Sequence, residues 1–391
     1  MTTPDSAAAS VAHSAPPPNA LFLGLFGCFS IVYGALLVPI GFGLLRHDAN
    51  AATAMFVVVF AIMIGFIGLT PVGTFTPNRP LLWLGLVLVL LGSLAFLSPG
   101  TLAGPIHWAL AAMLLGLGLI RLPLFWWHRR HGAKVPDGYA LPYTAMHLLS
   151  LALGVVVVTD APWWLSAPLL LGLGASQVRL AVLAARPGAH VPGAARLDAP
   201  DDGRRPLRLS SRLMLLLAIT MLFMAVATVL GVRGVIPIDT TRSSLLFVLI
   251  TAMQVILLGD TPVRSFTPSW TLSLLGMAVA TLAMVAAIVP GVLDGPLGVA
   301  VGVSNLATAA TGFVHLAGIV RTAAAMPPGR ARRTTVTVVV VSAIVYCLLL
   351  AFAVNLLAPG LIPGLAMLAV LVLAGGFLIW LAFLLSRLPR H

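Results

Sequence analysis

The sequence predicts an all-α integral membrane protein whose twelve transmembrane helices form two parallel six-helix repeats. Three observations lead to this fold class. The 391 residues are 60% hydrophobic and only 8% charged, whereas roughly a quarter of the residues of a soluble protein are charged. Apolar runs long enough to cross a hydrocarbon core of about 30 Å recur along the whole chain. A polar phrase occurs twice, as TPVGTFTP from residue 70 and as TPVRSFTP from residue 261.

The apolar runs divide the chain into twelve predicted spans and three polar segments. The spans cover residues 20–44, 51–69, 79–98, 105–127, 141–159, 162–184, 212–232, 243–259, 270–290, 296–321, 334–357 and 361–386. Residues 1–19 contain no Lys or Arg and are rich in Pro, Ser and Ala, which predicts a disordered cytoplasmic tail and not a signal peptide. The longest polar stretch, 185–211, is the expected cytoplasmic linker between a first repeat at 20–184 and a second at 212–388.

The distribution of arginine predicts the orientation of the spans. With a cytoplasmic amino terminus, the cytoplasmic loops hold most of the basic residues, namely Arg79, Arg129, Arg130, Lys134, Arg186, Arg196, Arg204, Arg205, Arg208, Arg264, Arg330, Arg332 and Arg333. The opposite face holds little beyond Arg46, Arg233 and Arg242. The positive-inside rule therefore predicts a multi-pass protein of the inner, cytoplasmic membrane with both termini in the cytoplasm. Its net charge of +12 is expected to meet anionic lipid headgroups, and no nucleic-acid partner is expected.

The repeated phrase indicates an internal duplication. Residues 68–105 and 259–296 align without a gap at an offset of 191, with 17 identities in 38 positions. The matched Pro, Gly and Phe residues are the informative ones, because chance identities of Leu and Ala are common in an apolar chain. Each copy contains six spans, an even number, so both copies are expected to enter the membrane with the same polarity.

In each copy the phrase joins the second and third spans. Its candidate gate residues are Thr70, Pro71, Phe75, Thr76 and Pro77 in the first copy and Thr261, Pro262, Phe266, Thr267 and Pro268 in the second. The first Thr-Pro pair is expected to end one helix, and the second pair to cap the next one. Two interpretations remain open, a rigid capped loop or a gate that moves one helix pair against another.

Polar side chains inside the predicted spans form a candidate solute site or helix contact. They are Gln254, Ser304, Asn305, Thr308, Thr311, His315 and Asn355, with His107 and His147 as further polar groups of the first half. Asn305, Thr308, Thr311 and His315, here called the polar stripe, step by three, three and four and so share one helix face. Because an unpaired polar group in hydrocarbon costs several kcal/mol, the polar stripe must face protein or a water-filled cavity. Apolar residues occupy the equivalent positions of the first copy, so any function is expected in the second half.

The sequence gives no sign of catalysis. It contains no Glu, and no nucleophile, metalloprotease or phosphate-binding motif is present. The intramembrane histidines lack the pairing at helical spacing that metal or haem ligands need. Cys28 and Cys347 are single residues of different spans. We therefore expect no enzymatic activity, no cofactor and no metal.

Two resemblances to known families accompany these patterns. The segment GLVLVLLGSLAFLSPGTLAGPIHWALAAMLLGLGLIR, a Gly-containing helical hairpin broken by Pro and Gly and ending at Arg121, resembles the HdeD-like membrane repeats. That resemblance implies a role in envelope stress, or as a subunit beside a membrane-protein partner or a second copy. The overall layout resembles the major facilitator transporters, which implies a carrier of a small neutral or lipophilic solute. The loop signature of that family is not present, since Gly259, Asp260 and Arg264 stand at other spacings.

Overall fold

A computed structural model describes most of the apolar part of the chain. The described residues are 18–67, 69–70, 73–74, 79–98, 100–131, 138–186, 209–237, 242, 245–246, 248–249, 252, 270–291, 293–358 and 360–386. Residues 1–17 of the predicted tail and most of the linker lie outside these residues, and so does most of the predicted eighth span. Of the candidate gate residues, only Thr70 is among them.

The described chain is almost entirely helical. Its α-helices are α1 (Pro18–Gly41), α2 (Ala49–Ala61), α3 (Arg79–Leu97), α4 (Ala103–Arg130), α5 (Ala140–Val158), α6 (Trp163–Ala184), α7 (Leu209–Val232), α8 (Trp270–Ile288), α9 (Asp294–Ala325), α10 (Arg330–Leu357) and α11 (Gly364–Ser386). A π-helix, Ile62–Ile67, continues α2. Two short strands, β1 (Leu69–Thr70) and β2 (Gly73–Thr74), pair antiparallel in the repeated loop of the first copy.

The helices have the length and composition of membrane spans. Within the described ranges, nine helices are long and apolar enough to cross a membrane, and the two shorter apolar helices Ala49–Gly65 and Ser273–Ile288 accompany them. The chain is thus an all-helical protein of multi-pass membrane character. The number of twelve spans stays a prediction, because the eighth lies largely outside the described part.

Five helices of the first half form a ring. Around this ring α1 packs on α6, α6 on α5, α5 on α4, and α4 on α2. Aromatic side chains complete it between α1 and α2, where ring centroids lie 5.9 Å apart for Phe26 and Phe60 and 6.2 Å apart for Phe29 and Phe56. Helix α3 packs on the outside of α2. Five helices from separate parts of the sequence therefore contribute side chains to the interior of the ring.

Glycine permits the closest of these helix contacts. A Cβ placed on Gly174 of α6 would lie 2.7 Å from the carbonyl oxygen of Gly27 in α1. Where α3 meets the π-helix, a Cβ on Gly65 would lie 2.6 Å from the Cα of Gly85. Small residues are favoured at such crossings because lipid supplies no hydrophobic drive between helices, so that close backbone packing has to hold them together.

The second half repeats several of these features. Helix α7 packs on α11 in the second half, as α1 packs on α6 in the first. The contact of α9 with α10 likewise corresponds to that of α4 with α5, and the contact of α10 with α11 to that of α5 with α6. Helix α7 begins and ends 191 positions after α1, and α8 begins and ends 191 positions after α3. Positive φ angles recur at the same offset, 71° at Gly43 and 69° at Gly234, then 80° at Gly100 and 87° at Gly291.

The two halves meet through helices and through one ion pair. Helix α8 packs on α1 and α2, and α7 packs on α3 and the π-helix. Asp48 caps α2 by accepting a hydrogen bond from the Ala51 amide (2.9 Å), while its own amide donates to the Ile288 carbonyl (3.0 Å). The Arg242 guanidinium forms an ion pair with the Asp48 carboxylate and donates to the Phe96 carbonyl at 3.1 Å.

Candidate functional site

The ring of the first half encloses a cavity of about 420 Å³. Small-molecule pockets typically have volumes of roughly 300–1,000 Å³. The described lining positions recur at steps of three or four residues on α1, α4 and α6, so each of these helices presents one face to the cavity. On α1 the lining residues run from Leu37 to Phe22, a distance of roughly 22 Å along the helix. The cavity is thus a deep cleft that follows the helix axes.

The cavity opens at one end of the bundle, here called the mouth end, where residues 42–48 join α1 to α2 and residues 159–162 join α5 to α6. The lining residues His47, Asn50 and Asp160 at this end are exposed, whereas Phe22 and Gln177 at the far end are buried. Among the described residues, the cavity is therefore open at the mouth end and bounded by packed side chains at the far end.

Polar side chains surround the mouth. The Tyr33 hydroxyl and the His47 Nε2 lie 3.3 Å apart, within hydrogen-bonding distance. His47 is exposed at the surface, but the protein around its ring removes part of its hydration. This partial desolvation lowers the pKa of His47 from its usual value, and the carboxylate of the adjacent Asp48 opposes the shift. His107 Nε2 lies 2.6 Å from the Val157 carbonyl. Because a carbonyl only accepts, His107 carries its proton on Nε2.

Four buried polar residues face the cavity much deeper, roughly 12–21 Å below the mouth end by the helical rise. These residues, Ser30, His147, Ser150 and Gln177, are here called the polar ring, and their exposed fractions are 1%, 1%, 4% and 8%. The Ser30 hydroxyl of α1 donates to Gln177 Oε1 of α6 at 3.2 Å. The Ser150 hydroxyl donates to the Met146 carbonyl of its own helix at 2.9 Å. The Ser30–Gln177 bond uses the carbonyl oxygen of Gln177, and His147 is the member of the polar ring whose side chain has no hydrogen bond to a described residue.

His147 has an unusual environment within the polar ring. Neither of its ring nitrogens has a hydrogen-bond partner among the described residues, although the side chain is buried. Its ring contacts that of Tyr143 edge to face, with centroids 4.4 Å apart and an interplanar angle of 72°. Such a contact replaces only part of the hydration lost on burial. A buried polar group without a partner costs about 1–3 kcal/mol, so this imidazole has an unmet capacity to bind a polar atom.

The residues of the predicted solute site lie elsewhere. Asn305 is buried in α9, and its Nδ2 has no hydrogen-bond partner in the described part of the chain. The Thr311 hydroxyl donates to the Ala307 carbonyl of the same helix at 2.8 Å. Thr308, His315 and Asn355 are half-buried, whereas Gln254 and the side chain of Ser304 lie outside the described residues. The cavity of the first half is not lined by the described members of this set, so their role as a solute site or helix contact stays a prediction.

Sequence reasoning named His107 and His147 but missed the other polar lining residues of the first half. Ser30 and Tyr33 share the first predicted span and Gln177 lies in the sixth, and neither span carries a row of polar residues as long as the polar stripe. A signal was nevertheless present on α6, where Trp163, Ser166 and Gln177 fall at helical spacing on one face. In the described ranges, no three His, Cys, Asp or Glu side chains come together in a way that could hold a metal ion.

No protein-family model, curated protein or solved structure matches the chain.

Proposed function

We propose that this multi-pass membrane protein is a carrier that binds a small, mainly apolar, uncharged solute in the cavity of its first half. The observation that supports this proposal is the cavity itself, which is deep, open at one end and lined mostly by apolar and aromatic side chains. Pockets that combine an apolar wall with a few convergent polar groups are typical small-molecule sites. The polar ring supplies those groups.

A void of this size is unfavourable unless something occupies it. Empty space beside apolar side chains deprives them of the packing contacts that a filled interior supplies. Water can fill the polar mouth, but apolar walls hold water poorly. The apolar depth of the cavity thus favours an organic occupant. A purely structural role, or a role as a partner subunit, gives no reason to maintain such a space.

The second half suggests that the polar ring is not required for packing. We infer that α7 is the counterpart of α1, at an offset of 191 positions. We also infer that α11 is the counterpart of α6, because α11 begins 201 positions after α6. Met221 then replaces Ser30, and Leu378 replaces Gln177, and both replacements are buried. The same helix pair therefore packs in the second half with apolar side chains at these places, which favours a functional reason for the polar pair of the first half.

The proposed location is the cytoplasmic membrane, with both termini in the cytoplasm. The arginine-rich loops support this orientation through the positive-inside rule. The mouth end then faces away from the cytoplasm, because it carries the loop between the first and second spans. The solute would thus enter the cavity from the outer side, and transport would need a second state in which the far end opens.

Blocking the cavity tests the proposed function. Leu114→Trp places a larger side chain on the lining face of α4, whereas Leu119→Trp places it on the same helix at a residue that is 63% exposed. Proteoliposomes containing the wild type or one variant are screened for uptake of radiolabelled uncharged alcohols, amides and phenols. We expect at least one solute to enter faster with the wild type and the Leu119→Trp variant than with Leu114→Trp. Equal uptake by all three proteins for every solute would contradict a carrier that works through this cavity.

A further inference from the structure

Resting on the proposed function, we propose that the solute carries a hydroxyl group on an uncharged apolar body and that this hydroxyl binds His147 in the middle of the membrane. A neutral imidazole offers one N–H donor and one bare nitrogen acceptor. Neither atom of His147 is used within the described residues, and the side chain lines the cavity. A hydroxyl group both donates and accepts, so it suits His147 in either tautomer.

The depth of His147 makes a polar partner necessary. It lies on α5 eleven residues before Val158, the end of that helix, and hence roughly 16 Å below the mouth end. At such a depth polar side chains are retained chiefly when they face a cavity, bind one another or bind a ligand. His147 lines the cavity, and no hydrogen bond joins it to Ser30, Gln177 or any other described residue. A solute hydroxyl is therefore the partner that the geometry leaves open.

The charges around the cavity argue for an uncharged solute. Among the described lining residues, Asp160 is the one Asp, Glu, Lys or Arg side chain, and it lies at the mouth with 88% of its side chain exposed. Arg121, whose charge acts on His147, does not line the cavity. An ionised group of a solute at the level of His147 would therefore lose its hydration without a lining side chain of opposite charge, which is costly in an apolar environment. A hydroxyl pays a much smaller desolvation penalty and regains it through hydrogen bonds.

The walls at the level of His147 determine the body of the solute. The neighbouring rings of Phe26 and Phe60 line the cavity, and so do Leu114 and Leu117 of α4. Aromatic walls of this kind suit a flat or compact apolar body, because ring contacts add to the burial of apolar surface. The inferred class is thus a phenol or a compact alcohol.

Three matched probes test this inference. Naphthalene, 2-methoxynaphthalene and 2-naphthol share one apolar body. Naphthalene carries no polar group, 2-methoxynaphthalene carries a hydrogen-bond acceptor only, and 2-naphthol carries a hydroxyl group that both donates and accepts. Binding to the protein in lipid nanodiscs is measured by equilibrium dialysis, with the binding to empty nanodiscs subtracted. For the wild type we expect 2-naphthol to bind about two- to tenfold more tightly than naphthalene, the range that one net hydrogen bond supplies. We expect 2-methoxynaphthalene to fall between them.

His147→Phe removes both ring nitrogens while keeping a ring of similar size, and it should remove the preference for 2-naphthol. His147→Gln retains a donor and an acceptor and should keep part of the preference, which also covers the case that His147→Phe does not fold. His315→Phe, a substitution of a half-buried histidine away from this cavity, is the matched control and should leave the preference unchanged. A preference of equal size in the wild type and in His147→Phe would overturn the role of His147 while leaving the cavity as the site. Failure of the wild type to bind any of the three probes would overturn both this inference and the proposed binding of apolar solutes.

Discussion

Two glycines determine how α1 and α6 border the cavity. Gly27 lies one helical turn from Ser30, and Gly174 lies one turn from Gln177, so the close crossing brings the two polar side chains within hydrogen-bonding distance. At the corresponding crossing of α7 and α11, a Cβ on Gly375 would lie 3.0 Å from the Ala218 carbonyl oxygen. The crossing in the second half thus accommodates a methyl group on α7, and no polar pair depends on it.

Gly174→Ala should destabilise the protein by about 1–3 kcal/mol, because its Cβ would overlap the Gly27 carbonyl and the Ile31 side chain. The matched control is Gly116→Ala in α4, where a Cβ meets no atom within 4 Å. That control should be neutral or stabilise the helix by up to about 1 kcal/mol. The free energy of unfolding is measured by denaturant titration in detergent micelles. Equal stabilities of the two variants would show that the α1–α6 crossing is looser than described.

At the scale of the helices, apolar runs were sufficient to locate the elements but not to arrange them. The described helices begin and end within a few residues of the predicted spans, as for α3 at 79–97 against the predicted 79–98. An apolar run indicates that lipid or protein surrounds a helix, but it does not indicate which other helices that helix packs against. The ring of α1, α2, α4, α5 and α6 depends on contacts between distant segments, and the cavity is the space that these contacts leave.

The candidate site was harder to predict than the helices, because it too depends on contacts between distant segments of the sequence. The polar stripe in α9 was prominent because its four residues share one helix. The polar ring takes one residue from α1, two from α5 and one from α6, so no span contributes more than two of its members. A site divided among several helices therefore leaves little periodic signal in any one of them.

Asp48 connects the start of α2 to the second half, and its two roles can be separated. Asp48→Asn keeps a side chain that caps α2 but removes the carboxylate from Arg242, whereas Asp48→Ala removes both interactions. We expect Asp48→Asn to lower the free energy of unfolding by about 1–3 kcal/mol, since Arg242 and Asp48 are only 11% and 19% exposed. Asp48→Ala should cost about 1 kcal/mol more. Chemical denaturation of both variants in the same detergent measures the difference, and equal losses would remove the capping role.

At the scale of the whole molecule, the contacts between the halves have a reciprocal form. If α7 is the counterpart of α1, and α8 that of α3, then the contact of α8 with α1 corresponds to the contact of α7 with α3. Such an exchange is expected when two similar units are related by a two-fold axis. For six-span units of equal polarity that axis runs along the membrane normal. The recurring helix bounds and positive-φ glycines support the same arrangement, and we propose an internal duplication on these grounds.

Equal polarity of the two halves predicts which residues are accessible from outside the cell. Single cysteines replace Arg46 and Arg233, two exposed residues in the connections that follow α1 and α7, in a background where Cys28 and Cys347 are alanine. A membrane-impermeant maleimide should label both sites on intact cells. Cysteines at Thr76 and Ala195, in the predicted cytoplasmic loop and linker, should react only after the membrane is permeabilised. Labelling of Arg46→Cys and Arg233→Cys from opposite faces would exclude two parallel halves. Labelling of Thr76→Cys and Ala195→Cys alone on intact cells would preserve the parallel halves but reverse the orientation, and the cavity would then open toward the cytoplasm.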